Sequence, residues 1–153
     1  MSRYRPLILL QSLKAILAFR PENLFLFIDN FHPEQDYYQI LKENIEDNNW
    51  HHFLEEIIKE ITPKNRWTYT ELIRKIYINE EWWDRLFLML KQNLSLENIQ
   101  HNEQYLVHDY SSELIELYSE RIMNYVEKFV GRNHYQTACR YLRRMKKLGG
   151  NEQ

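Results

Sequence analysis

The side chains in this sequence best suited to chemistry are its histidines. His51-His52 stand four residues before Glu55-Glu56, and ligand-type residues four apart share a helix face and can grip a cation together. Successive helix positions point about 100° apart, so these four side chains split into two separate pairs, His51 with Glu55 and His52 with Glu56. Neither the Glu-x-x-His of di-iron bundles nor a His-Glu-x-x-His zinc motif occurs. His101, His108, Asp109 and His134 fall near breaks in the carboxy-terminal half, where helix capping and hydration account for them. Ser111-Ser112 precede a helix and read as caps, not nucleophiles. Glycine is confined to Gly131, Gly149 and Gly150, too few for a phosphate-cradling loop. Cys139 is the sole cysteine, so there is no internal disulfide, and a reducing compartment is expected. It lies beside the apolar stripe of the last helix and reads as a small buried filler. The sequence therefore predicts no catalytic residue, no cofactor and no metal ligand. A metal-assisted enzyme using His51, His52 or His101 is the competing reading.

Charge and aromatic residues point instead to contact. The net charge of −2 is too small to select a class of partner, but its distribution is uneven. Asp29–Glu60 is acidic, whereas the last helix carries Arg132, Arg140, Arg143, Arg144, Lys146 and Lys147. Cations at a helix carboxy terminus complement the macrodipole. Beyond that, Arg140, Arg143, Arg144 and Lys147 are candidate contacts for phosphates or an acidic partner. The interleaved exposed aromatics of a base-reading surface are missing from this reading. Trp82 and Trp83 point about 100° apart. Trp83 belongs to an apolar stripe, and Trp82 either packs against a second neighbour or anchors a partner. Phe25 and Phe27 sit in Leu24–Ile28, apolar nearly all round, and so belong to the centre of the amino-terminal half or beneath a partner.

The elements that must position these residues are all helical. Few glycines and prolines favour helix in nearly every window. One all-α domain over 1–153 is expected, with loose ends at 1–5 and 149–153, built of about eight or nine helices joined by short breaks. Pro6–Phe19 and Pro21–Phe31 come first, then Glu34–Glu46 after His32-Pro33. After the Asp47-Asn48-Asn49 turn, Trp50, Phe53, Leu54, Ile57, Ile58 and Ile61 form the cleanest stripe. Thr68 and Glu71 have capping-box spacing, with Trp67 placed as a hydrophobic staple to Leu72. A helix on Trp83, Leu86, Phe87 and Leu90 follows, and Ser95 caps a short one whose middle, Gln100–Gln104, is polar. Ser111–Val130 and the helix after Gly131-Arg132-Asn133 form an antiparallel hairpin. The last helix faces its neighbour with Tyr135, Ala138, Leu142 and Met145. Hairpins recurring every 30 residues or so suit a short TPR-like α-solenoid stack or an irregular bundle. Leu7–Leu10 and Leu24–Ile28 fall far short of the roughly 20 apolar residues of a spanning helix. No signal peptide is read, so a cytoplasmic protein without a membrane partner is expected.

Leu106–Tyr110, Glu113-Leu114-Ile115-Glu116-Leu117-Tyr118, Ile122 and Tyr125 lead into Arg132-Asn133-His134-Tyr135 and Ala138-Cys139-Arg140-Tyr141-Leu142-Arg143-Arg144-Met145. This stretch resembles the helical carboxy-terminal region of bacterial SWIM zinc-finger family proteins. The resemblance implies TPR-like helical pairs without the family's metal module, because Cys-x-Cys with Cys-x-His cannot be assembled from Cys139 alone. The family's role in binding DNA or protein through the finger is not carried over. The expected function is a protein–protein interaction or scaffold module, with nucleic-acid binding through the basic last helix as the alternative.

Overall fold

The computed structural model describes residues 36–64 and 67–149, and these contain helices and no strand. The expected helices Pro6–Phe19 and Pro21–Phe31, with Phe25 and Phe27, lie outside the described residues. The helices are α1 (Asp36–Asn44), α2 (Asp47–Ile61), α3 (Trp67–Asn79), α4 (Trp83–Gln92), α5 (Leu96–Lys128) and α6 (Arg132–Gly149). Contacts divide the chain into two compact units, one ending at Glu81 and the other beginning at Trp82. None of the described helices is long and apolar enough to cross a membrane.

In the first unit, α2 buries Trp50, Phe53, Leu54, Ile57, Ile58 and Ile61, the stripe that the three-four spacing requires. Thr62 donates its hydroxyl to the Ile58 carbonyl at 2.6 Å and closes the helix end. Tyr38 of α1 meets the Trp50 ring edge-on at 5.0 Å. Beyond the end of α3, Glu80 is almost wholly buried, its side chain 4% exposed. It accepts hydrogen bonds from Tyr38 Oη at 2.5 Å, Lys42 Nζ at 3.1 Å and Asn79 Nδ2 at 3.2 Å. A buried carboxylate persists only when it is paired and hydrogen-bonded, so this cluster ties α1 to the end of α3. Burial first, and then the bond to Glu80, pushes the Tyr38 phenol well above its ordinary value.

The capping box expected at Thr68 does not form. The helix has already begun at Trp67, whose ring is 79% exposed and does not staple to the buried Leu72. Glu71 instead makes a two-pronged pair with Arg74, at 2.8 and 3.0 Å. The pairing of Glu71 with a guanidinium one turn on removes the carboxylate a capping box needs.

In the second unit, α5 is two helical segments, 96–109 and 111–128, meeting at a kink where Tyr110 is non-helical (φ −129°, ψ 27°), so the helix expected from Ser111 does follow a break. Ser95 caps the first segment as predicted, accepting from the Asn98 amide at 3.1 Å. The polar middle is helical, with Asn102 buried and donating to the Asn98 carbonyl while His101 and Gln104 are exposed. Ser111 and Ser112, expected as caps, stand directly after Tyr110 at the start of the second segment of α5. At the bend, Tyr110 stacks on Phe87 of α4 at 4.3 Å and its hydroxyl donates to Asp84. The Asp84 bond is the main cause that pushes the Tyr110 phenol up to about 12. Trp83 stacks on Tyr105 at 6.4 Å, so α4 lies against the part of α5 up to the kink.

Candidate functional site

The α5–α6 hairpin is antiparallel, as its short break demands. Tyr125 meets His134 near the turn and Tyr118 meets Tyr141 further along, while Glu103, from the segment before the kink, meets Arg144. The turn is at Gly131, whose φ of +127° suits a residue without a side chain. Tyr125 Oη lies 2.8 Å from His134 Nδ1, and Phe129 stacks on the same imidazole at 5.1 Å.

The rotation of α6 about its own axis decides which side chains are free to act. Tyr118, fully buried, donates to Glu103 at 2.5 Å, and Arg144 pairs with the other oxygen of that carboxylate. Burial and then the bond to Glu103 hold the Tyr118 phenol well above its usual range. The Arg144 guanidinium is also shifted upward, chiefly through its hydrogen bond to Glu103. The inward residues of α6 are therefore Ala138 and Tyr141. Of the expected stripe of Tyr135, Ala138, Leu142 and Met145, Ala138 is buried and Met145 half-buried, but the inward side turns away from Tyr135 and Leu142 towards Tyr141. Tyr135 is left 53% exposed and Leu142 43% exposed. Cys139, expected as a buried filler, is exposed for the same reason.

The outer face of α6 is thus a mixed surface. Arg132, Arg140, Arg143, Lys146 and Lys147 are exposed on it, with Tyr135, Cys139 and Leu142 among them. None of these five cations has a carboxylate within ion-pair distance among the described residues. Arg140 lays its guanidinium 5.2 Å from the Tyr141 ring centre. Of the candidate contacts, Arg140, Arg143 and Lys147 lie on this face. Arg144 does not, because it is turned inward to Glu103. The exposed Tyr135 supplies an aromatic that the sequence reading did not place among the cations.

The other candidates are dispersed. Trp82 is half-buried at the start of α4, with the Arg85 guanidinium 4.5 Å from its ring centre. His51 and His52 are exposed on α2, and His101 and His108 are exposed on α5. His101 borders a groove of about 410 Å³ with Glu97, Gln100, Glu103, Gln104 and Arg144. Among the described residues, no three His, Cys, Asp or Glu side chains are placed to share a metal ion. Sequence reasoning missed Glu80 and Glu103. Their signal was a carboxylate set among apolar positions or close to a break, a pattern shared with many solvated residues. No family model, curated protein or solved structure matches this chain.

Proposed function

We propose that the chain is a helical interaction module that docks an acidic protein partner along the outer face of α6. The observation that carries this reading is the exposure of Tyr135 and Leu142 among five cations that the described residues leave unpaired. Apolar anchors ringed by charge of one sign give a contact both affinity and a preferred partner. The stacked hairpins of a TPR-like array, the resemblance to the helical tail of bacterial SWIM zinc-finger proteins and a cytoplasmic setting belong to the same proposal. The resemblance and the single cysteine support them. Nucleic acid is the second reading, favoured by Tyr135, because an exposed aromatic beside cations can stack a base.

One titration separates the two. Fluorescence anisotropy is read on a glutamate-rich amphipathic helical peptide and on a single-stranded oligonucleotide, at about 50 and 200 mM salt. The expected result is peptide binding that Arg140→Glu with Arg143→Glu weakens about tenfold or more. Tight oligonucleotide binding with a steep salt slope, and none of the peptide, transfers the function to nucleic acid. Binding of neither probe at the lower salt sinks both readings.

A further inference from the structure

The long helix α5 carries its own unpartnered face, and its chemistry is the inverse of that on α6. Leu114, Tyr118 and Ile122 point inward. Past the kink at Tyr110, Glu113, Glu116, Glu120, Met123 and Glu127 recur at steps of three and four, which keeps them on one line along the opposite side. All five are exposed, Met123 at 57%. Glu120 has only its neighbour Arg121, at 3.8 Å, and no cation pairs with the other three carboxylates among the described residues. Tyr118 meets Tyr141 where the two helices face each other, so the acidic back of α5 and the basic back of α6 look away from one another. One hairpin therefore presents a negative face on one side and a positive face on the other.

We propose that these two faces recognise each other between copies of the chain, the basic back of α6 in one molecule seating on the acidic back of α5 in the next. The inference rests on α6 being the docking face and names a second copy as its occupant. Three observations favour that occupant. The charges are complementary. The faces match in length, about 21 Å from Glu113 to Glu127 and about 22 Å from Arg132 to Lys147 at 1.5 Å per residue. Each has exposed apolar side chains within it, Met123 on one and Leu142 with Tyr135 on the other. Because the faces point in opposite directions, the association is heterologous and runs head to tail.

Sedimentation velocity of the full chain at about 0.1 M and about 1 M salt tests this, since the screening length falls from about 10 Å to about 3 Å between them. The wild type is expected to exceed its monomer mass of 19.0 kDa in a concentration-dependent way at the lower salt, and to return to monomer at the higher. Two charge-reversed variants, Glu113→Lys/Glu116→Lys/Glu120→Lys and Arg140→Glu/Arg143→Glu/Lys147→Glu, are each expected to be monomeric. Their equimolar mixture is expected to associate again, because each supplies the face that the other lacks. The milder pair Glu116→Gln with Glu120→Gln, at exposed helix positions where substitutions barely affect stability, is expected to weaken association several-fold. A wild type that stays monomeric at the lower salt overturns the proposal, as do Gln variants that associate like wild type. If that monomeric wild type still binds the acidic helical peptide through α6, the docking face stands and only the choice of a second copy falls.

Discussion

Glu80 is a carboxylate removed from water and yet kept charged. Burial alone would raise its pKa, but hydrogen bonds from Tyr38 and Lys42, with the charge of Lys42, reverse the sign and hold it below its ordinary value of 4.5. A group whose folded pKa is depressed stabilises the fold above its unfolded value and loses that contribution as pH falls through the folded one. Urea denaturation should therefore show stability declining as pH drops below about 4.5, and Glu80→Gln should flatten that acid limb. At neutral pH the same variant should cost about 1–3 kcal/mol, towards the lower end because Lys42's end of the pair is partly in water. An acid limb unchanged in the variant would mean that this carboxylate is not the one being titrated. Cys139 gives a second test of placement. Its exposure predicts native-state reaction with a thiol reagent within about tenfold of the rate in denaturant. A strongly protected thiol would mean that α6 presents the face its apolar stripe suggests.

Helix α6 shows how an element can be legible in extent and still misread in orientation. Two lines that share Ala138 compete for its inward side: Tyr135, Ala138, Leu142 and Met145, or Ala138, Tyr141 and Arg144. Hydrophobic periodicity favours the first, and the second wins because it brings Arg144 to Glu103 and Tyr141 to Tyr118. Adjacent arginines should then differ sharply. Arg144→Ala leaves the Glu103 carboxylate with only the Tyr118 hydroxyl as a partner and should destabilise by about 1–3 kcal/mol, whereas Arg143→Ala, exposed and unpaired, should stay within about 0.5 kcal/mol. Thermal or urea unfolding of the two variants decides it, and equal losses would refute the rotation. The break before Ser111 was legible, and α5 is non-helical there at Tyr110. Gln100–Gln104 reads as the polar middle of a short helix and is helical, with Asn102 bonded to the Asn98 carbonyl of its own helix and Glu103 accepting from Tyr118 across the kink. Where the inward side is purely apolar, as on α2 from Trp50 to Ile61, spacing alone was sufficient. Where a hydrogen-bonded pair sets the packing, the information lies in residues far apart in sequence, 41 positions for Glu103 and Arg144. The outer face of α6 was legible as basic, but its apolar members were not, because they had been assigned to the core.

At the scale of the whole molecule, a net charge of −2 understates the field around it. Uniformly spread, so small a charge would make copies repel weakly, and added salt would screen that repulsion. Concentrated as a negative back on α5 and a positive back on α6, the charges let copies attract at short range, and salt then weakens an attraction instead. The two arrangements differ in sign and can be separated without any partner. The concentration dependence of the diffusion coefficient, measured by dynamic light scattering, should be attractive at about 0.1 M salt and move towards neutral or repulsive by about 1 M. Reversing Arg140 and Arg143 to glutamate changes the charge by two at each site and takes the net charge from −2 to −6. That variant should be repulsive at the lower salt and should become less so as salt rises. If the wild type already behaves in that repulsive way, the two faces do not act as separate patches, and the contact on α6 must be sought with a partner of another sequence.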